Sequence, residues 1–214
     1  MKLRKRDSWL SPYCVIAVGI LWLSLIHGCG RSSAYEPRAG DLIFQVSPSS
    51  QSRAIQLATG SKYSHMGIVT VDGGEPSVLE AVGPVRIIPL DEWIAQGDDG
   101  HYTVKRLKNA DAVLTPETLK RMRETGLDFL GKSYDWTFEW SDDRMYCSEL
   151  VWKIYKRGTG IEIGPRRRMR EFDLSHPAVK EKLRERYGDE VPLDEWVVSP
   201  GDMFASDLLV TVYR

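Results

Sequence analysis

Two apolar runs joined by a Gly-Gly pair constrain the fold of this chain more than any other feature of its sequence. The runs read SHMGIVTV and SVLEAV, and the VDGGEP turn between them has Gly73 and Gly74 at its centre. Such a glycine pair is typical of a two-residue hairpin turn, which fixes the strand register. In that register Gly67 lies opposite Glu80, and His65 lies on the same face as both. The sequence therefore predicts an antiparallel hairpin that presents an imidazole and a carboxylate together.

Strand patterns dominate the first half of the remaining chain, and helix patterns dominate the second half. Strands are predicted at 41–46, 64–71, 77–82, 85–90, 101–107 and 206–213. Helices are predicted at 50–60, 115–130, 147–158 and 176–188. This segregation is typical of an α+β fold in which an antiparallel sheet packs against helices. The pentapeptide PLDEW occurs at 89–93 and again at 192–196 between unrelated flanks, and we interpret both copies as turns that start a helix.

The N-terminus has the order of a secretory signal. Basic MKLRKR precedes an uncharged apolar run at 13–26, and the small residues of HGCG follow. The run is shorter than the roughly 20 residues that span a membrane, although extension back to Trp9 leaves an uncleaved anchor as an alternative. LIHGCG resembles a bacterial lipobox, in which Cys29 becomes the lipidated first residue of the mature chain. In the alternative, cleavage follows a small residue nearby and Cys29 has no role.

These features predict three segments: a signal peptide with lipobox at 1–29, a polar tether at 30–39 and one folded domain at 40–214. We expect an exported lipoprotein that faces the periplasm and is anchored to a membrane of the bacterial cell envelope through Cys29. The net charge of −1 at pH 7 gives no general attraction for nucleic acid, so no nucleic-acid partner is predicted.

The chain has three cysteines, Cys14, Cys29 and Cys147. If the first leaves with the signal and the second carries lipid, Cys147 is a lone thiol in an oxidising compartment and has no disulfide partner. A lone cysteine is commonly a small buried apolar residue. Its place in RMYCSELV, at the start of a predicted helix, also suits a nucleophile, because a helix N-terminus and a nearby imidazolium favour the thiolate.

Residues around Cys147 and on the hairpin supply the other groups that acyl transfer requires. Tyr146, Ser148 and the backbone N–H of Cys147 are candidates to hold an oxyanion. His65 is the candidate base, and Glu80 could orient its ring as a diagonal neighbour. The other histidines lie in the signal, at a strand start and at a helix start: His27, His101 and His176.

Each of these residues also has a plainer interpretation. His65 could be a half-buried, hydrogen-bonded strand residue, and Glu80 could be exposed between buried Leu79 and Ala81. Cysteine, histidine and carboxylate could together bind zinc, but no CxxC or HExxH spacing supports a metal site, and none is predicted.

Four segments in order, GDLIFQ, YSHMGIV, VLEAVGPV and YDWTF…YCSELVWKIY, resemble the permuted papain-like cysteine hydrolases of the YiiX/YaeF-like branch of the NlpC-type superfamily. The resemblance covers most of 40–214. His65 precedes Cys147, which is the permuted order. The resemblance implies a circularly permuted papain-like fold with Cys147 as nucleophile, His65 as base and Glu80 as the orienting group, and it implies no cofactor.

The resemblance further implies hydrolysis or transfer at an amide or ester acyl group. For an exported, tethered chain we expect an amide bond of an envelope substrate such as a peptidoglycan stem peptide. A lipid acyltransferase or deacylase using the same residues is the alternative, and a non-catalytic envelope-binding lipoprotein is another. The basic RRRMR cluster at 166–170 is either a solvated loop or a site for substrate carboxylates or phosphates.

Overall fold

A six-stranded antiparallel sheet forms the centre of the protein, and the computed structural model describes residues 35–214. The strands are β1 (Leu42–Gln45), β2 (His65–Asp72), β3 (Glu75–Ala81), β4 (Val85–Pro89), β5 (Tyr102–Leu107), β6 (Arg167–Arg168), β7 (Trp196–Val197) and β8 (Leu209–Tyr213). Their order in the sheet is β4-β3-β2-β1-β5-β8, while β6 and β7 form a separate two-stranded ribbon. The helices are α1 (Ser50–Thr59), α2 (Leu90–Ala95), α3 (Ala110–Val113), α4 (Pro116–Phe129), α5 (Cys147–Thr159), α6 (Pro177–Tyr187) and α7 (Pro200–Phe204). The α+β prediction is confirmed.

The hairpin of β2 and β3 has the predicted register. Asp72 pairs with Glu75 across the two-glycine turn, and Ile68 pairs with Leu79 further along. Gly73 and Gly74 have φ angles of 60° and 94°, in the left-handed region that a side chain disfavours. The turn therefore favours glycine at both positions. Its two-residue length fixes the register in which residues of β2 and β3 face each other.

Both faces of the sheet carry buried apolar residues. Side chains alternate between the two faces along each strand, and helices pack against both faces. One set, which includes Phe44 and Ile68, packs in the main core with the long helices α4 and α5. The other set, which includes Val69 and Val78, packs against Trp93 of the short helix α2. Glu80 shares the second face by strand alternation, so this carboxylate lies inside the protein rather than on a solvated face.

Helix α5 begins at Cys147, as predicted, and ends at Thr159. Gly160 closes it in the left-handed conformation, two residues later than the Gly158 end that the sequence suggested. Gly158 instead lies inside the helix, where a Cβ atom would come within 2.2 Å of a Met122 side-chain atom on α4. The absence of a side chain at Gly158 thus allows close packing of the two helices.

Two sequence interpretations differ from the structure. The second PLDEW copy does not start a helix, because Trp196 enters β7 and pairs with Arg168 of β6. The first copy does start helix α2, after Pro89. The folded region also extends to Tyr35 in the predicted tether, since its hydroxyl donates to Asp41 at 2.7 Å.

The predicted signal, the lipobox, Cys14 and Cys29 lie outside the described residues. Between residues 35 and 214, no helix combines the length and the apolar character needed to cross a membrane.

Candidate active site

Cys147 is the first residue of α5, and its side chain is buried with 3% of its surface exposed. It is the free cysteine of the described region. The N–H groups of the first helical turn have no partner within the helix, and the helix dipole favours negative charge at this end. The local fold therefore places the Cys147 side chain at the N-terminal end of the helix.

His65, the first residue of β2, lies between Cys147 and Glu80. Its Nε2 atom is 2.6 Å from Glu80 Oε2, and the Cys147 side chain lies close enough to its ring to affect its pKa. Burial alone would lower the pKa of His65, but the hydrogen bonds with Cys147 and Glu80 outweigh burial and raise the pKa from 6.5 to about 9. The ring therefore carries a proton on both nitrogens at neutral pH.

Glu80 is fully buried and receives hydrogen bonds on both oxygens. Trp93 Nε1 donates to Oε2 at 2.8 Å, beside the His65 contact. Arg86 donates to Oε1 from Nε at 2.9 Å and from Nη2 at 2.7 Å. Burial raises the pKa of Glu80, but the bonds and charges of His65 and Arg86 outweigh burial and lower it below 4.5. The carboxylate is therefore ionised, and its exposed-strand interpretation is wrong.

Gly67 lies between His65 and Val69 on β2, and the lack of a side chain there leaves room for Val78 and Glu80 on the neighbouring strand β3. A Cβ atom at Gly67 would lie 2.4 Å from Val78 Cγ1 and 3.6 Å from Glu80 Cβ. Real side chains do not make the first contact, so a larger residue would push β2 and β3 apart beneath His65 and Glu80.

The structure places Tyr146 and Ser148 beside Cys147, with their hydroxyls bound to the same backbone segment. Val198 N donates to the Tyr146 hydroxyl at 3.2 Å, and Ser148 Oγ donates to Val198 O at 2.8 Å. Ser148 has a single O–H, which is engaged by Val198, so its remaining donor toward an oxyanion is its backbone N–H. Their role in oxyanion binding stays a prediction.

Sequence reasoning missed Tyr134 and Gln51, which approach Cys147 from other elements. Tyr134 is buried, and its hydroxyl accepts a hydrogen bond from Gln51 Nε2 at 3.0 Å. Burial, and next the charge of Cys147, raise the pKa of Tyr134 well above its ordinary value. Tyr134 is therefore a neutral phenol, and it lines the same pocket as Cys147. No spacing signal relates 51, 134 and 147, because they lie on α1, between α4 and α5, and on α5, and share a pocket only in the folded protein.

Two cavities open beside the reactive groups, between helices α1 and α6. A pocket of about 100 Å³ lies against Cys147 and is lined mainly by apolar side chains, among them Ile55, Met169, Phe172 and Leu183. A larger cleft of about 600 Å³ lies beside His65. The two cavities share Gln51, Ile55, Tyr134, Lys182 and Arg186. A substrate could therefore place one group in the pocket and extend through the cleft.

The arginines of the RRRMR cluster line neither cavity. The guanidinium of Arg168 lies 3.8 Å from the Trp196 ring centroid, and Arg166 lies 5.0 Å from that of Trp140. Arg167 lies 3.5 Å from Asp202. These arginines thus interact with groups of the same chain, and a role for them in substrate binding stays a prediction.

An antiparallel sheet that carries the histidine, followed by a helix that begins with the buried cysteine, defines a papain-like protein in permuted order. Residues 36–213 match the family of permuted papain-like amidase enzymes, YaeF/YiiX, C92, and the chain belongs to this family. Uncharacterized protein YiiX of Escherichia coli strain K12 is 49% identical over 181 residues, 85% of this chain and 88% of the relative.

A solved structure has the same fold. The crystal structure of metalloprotein YiiX from Escherichia coli O157:H7 matches with a TM-score of 0.81 and 49% identity, over 84% of this chain and 98% of that chain. The predicted family and permuted papain-like fold are therefore confirmed.

Proposed function

We propose that the protein is a cysteine amidase or peptidase in which Cys147, His65 and Glu80 act together. One observation carries the proposal: His65 Nε2 lies 2.6 Å from the Glu80 carboxylate, and the Cys147 side chain lies close enough to the His65 ring to raise its pKa. This is the arrangement that nucleophilic acyl transfer requires, with a nucleophile, a proton acceptor and an orienting group in series.

The reaction begins with the Cys147 proton held on His65. Sγ bonds to the amide carbon, and the oxyanion is held by backbone N–H groups at the start of α5. The C–N bond then breaks, and the amine leaves with the proton from His65. Water attacks the thioester while His65 accepts a water proton, and cleavage of the C–S bond releases the carboxylic acid and restores the ion pair.

The substrate we propose is a cell-envelope amide such as a peptidoglycan stem peptide. The amidase description of the family supports the bond type. The signal-like segment and Cys29 support export and membrane anchoring. Replacing Cys29 with serine should release the mature domain from the membrane fraction, and retention of this variant would contradict the lipid anchor.

A lipid acyl group is the second candidate substrate, and the apolar pocket beside Cys147 favours it. A pocket lined by Ile55, Phe172 and Leu183 would accept a hydrocarbon chain bonded through its carbonyl to Sγ. The chemistry at Cys147 and His65 would be the same.

The E. coli relative is described as a metalloprotein, but the site residues here do not fit a metal. Both Glu80 oxygens accept from His65, Trp93 or Arg86, on the side of the imidazole away from Cys147. A metal between sulfur and imidazole would thus have two protein donors, short of the three that zinc uses in catalytic sites. Among the described residues, no cluster of three or more His, Cys, Asp or Glu side chains could hold an ion.

Alkylation of Cys147 by iodoacetamide, followed by peptide mapping of the full-length chain, tests the proposal. We expect fast labelling well below about pH 8.5, where a free thiol ionises, and slow labelling in His65→Ala. His101→Ala is the matched control, because His101 is exposed at the start of a strand. Equal rates in wild type and His65→Ala would contradict the mechanism. Incubation with muropeptides and with phospholipids would then separate the two substrates.

A further inference from the structure

We propose that Arg86 and Trp93 are positioning residues that hold the Glu80 carboxylate oriented toward His65. The inference rests on the proposed function and deepens it. Neither residue lines the pocket or the cleft, so neither contacts substrate directly. Any effect on the reaction must therefore pass through Glu80 and His65.

Trp93 fixes one oxygen of the carboxylate. The residue is fully buried on α2, and its Nε1 donates to the same Oε2 that contacts His65 Nε2. Its ring also stacks on the imidazole, with 5.8 Å between centroids and 25° between planes. A buried indole N–H without a partner is costly, so indole and carboxylate hold each other in place. The stacked ring also limits sideways movement of His65.

Arg86 fixes the other oxygen. It faces Glu80 across the β3–β4 pair, and both Nε and Nη2 donate to Oε1. Nη2 also donates to Gln96 Oε1 at 2.9 Å, which ties the guanidinium to the end of α2. Such a fork restricts the carboxylate in angle as well as in position, and its charge offsets the cost of burying an anion. Each Glu80 oxygen then accepts two hydrogen bonds, which leaves the group no alternative orientation.

The two PLDEW copies provide a matched pair of tryptophans. Trp93 ends the first copy and contacts Glu80. Trp196 ends the second copy, lies on β7 and carries Arg168 over its ring at 3.8 Å. The same substitution can therefore be made at one tryptophan that contacts the carboxylate and at one that does not.

Trp93→Phe and Trp196→Phe in the full-length chain test the inference. Phenylalanine keeps a ring but removes the N–H. We expect Cys147 alkylation by iodoacetamide at neutral pH to slow about 10-fold in Trp93→Phe and to be unchanged in Trp196→Phe. The downfield proton resonance of His65 Nε2–H, observed by NMR on histidine-labelled protein, should shift or disappear only in Trp93→Phe. Equal alkylation rates and an unchanged resonance in both variants would overturn the inference.

Arg86 gives a second test if Trp93→Phe does not fold. Arg86 is partly exposed, so its replacement opens no cavity in the core, and Arg86→Lys keeps a positive charge beside the buried carboxylate. Arg86→Met should alter the His65 resonance and slow alkylation, and Arg86→Lys should restore part of the rate because it keeps the charge. Wild-type behaviour of Arg86→Met would overturn the inference. If wild-type Cys147 labels no faster than a free thiol, the proposed function fails, whereas the His65 resonance still tests the positioning of Glu80 separately.

Discussion

His65 Nε2 lies 2.6 Å from Glu80 Oε2, and both atoms are buried on adjacent strands of one hairpin. A protonated imidazole paired with an ionised carboxylate in a low-dielectric site makes a strong, directional hydrogen bond. The pair thus determines the protonation state of the ring that faces Cys147.

Titration of the His65 ring should show an inflection near pH 9 in the wild type, since its pKa is raised to about 9. In Glu80→Gln the inflection should move lower, toward 6.5, because the imidazolium loses its anionic partner. The raised pKa also stabilises the fold, fully below pH 6.5, and this contribution is lost as the pH rises through 9. NMR titration measures the first effect, and urea unfolding across pH measures the second.

Glu75→Gln is the control for this titration, since Glu75 is exposed at the turn end of the same hairpin. Amide hydrolysis should decline above the His65 inflection, because the leaving amine needs the imidazolium proton. An inflection near 6.5 in wild type would contradict the ion pair.

Gly67→Ala should destabilise the protein by about 1–3 kcal/mol through overpacking. The new Cβ would meet Val78 Cγ1 at 2.4 Å and the Leu79 carbonyl oxygen at 3.0 Å. Gly83→Ala is the matched control, because nothing lies within 4 Å of a Cβ there. Urea denaturation of both variants measures the difference, and equal midpoints would show that the hairpin can absorb the extra methyl.

We expect the wild type to lose stability as the pH rises, and Glu149→Gln to abolish this part of the pH dependence. Burial, opposed by the charge of Lys153, raises the pKa of Glu149 to about 8. Lys153 Nζ lies 2.7 Å from Oε1, but neither carboxyl oxygen has a well-directed hydrogen bond. The folded protein must ionise this group at a higher pH than the unfolded chain, so stability falls between about pH 4.5 and 8.

The effect of Glu149→Gln should reach on the order of a few kcal/mol above pH 8 and vanish at low pH. Thermal unfolding at several pH values measures it. Glu181→Gln, at an exposed position on α6, serves as the control. A parallel pH dependence in Glu149→Gln and wild type would show that another group is responsible.

Ala58→Phe should fill the apolar pocket, because Ala58 lines it from α1. If an acyl chain binds there, the rate ratio for p-nitrophenyl octanoate over acetate should fall about 10-fold, since each buried CH₂ contributes roughly 0.8 kcal/mol. Ala112→Phe, at an exposed position on α3, should leave the ratio unchanged. An unaltered ratio in Ala58→Phe would favour a peptide substrate that bypasses the pocket.

The sequence was sufficient for those parts of the site that depend on local order. The glycine turn fixed the register that brings Glu80 to His65, and the helix pattern placed Cys147 at an N-terminus. Arg86 was missed because its position opposite Glu80 depends on the length of the β3–β4 turn. Trp93 was missed because its contact requires α2 to pack on the sheet.

Interactions between distant elements also account for the other differences. Ser148 looked free in the sequence, but its hydroxyl reaches Val198, fifty residues away. The second PLDEW copy resembles the first, yet Trp196 enters a strand because β6 offers it a backbone partner. Neither pairing has a signal within a short window of sequence.

The histidine of the site and the residues that orient it come from one continuous segment of the chain. His65, Glu80, Arg86 and Trp93 all lie on β2, β3, β4 and α2, which follow one another, whereas Cys147 arrives on a separate helix. Contacts between residues that are close in sequence tend to form early in folding, and such segments can unfold locally as separate units. During folding, the charged groups of His65, Glu80 and Arg86 can therefore assemble before α5 brings the thiol to them.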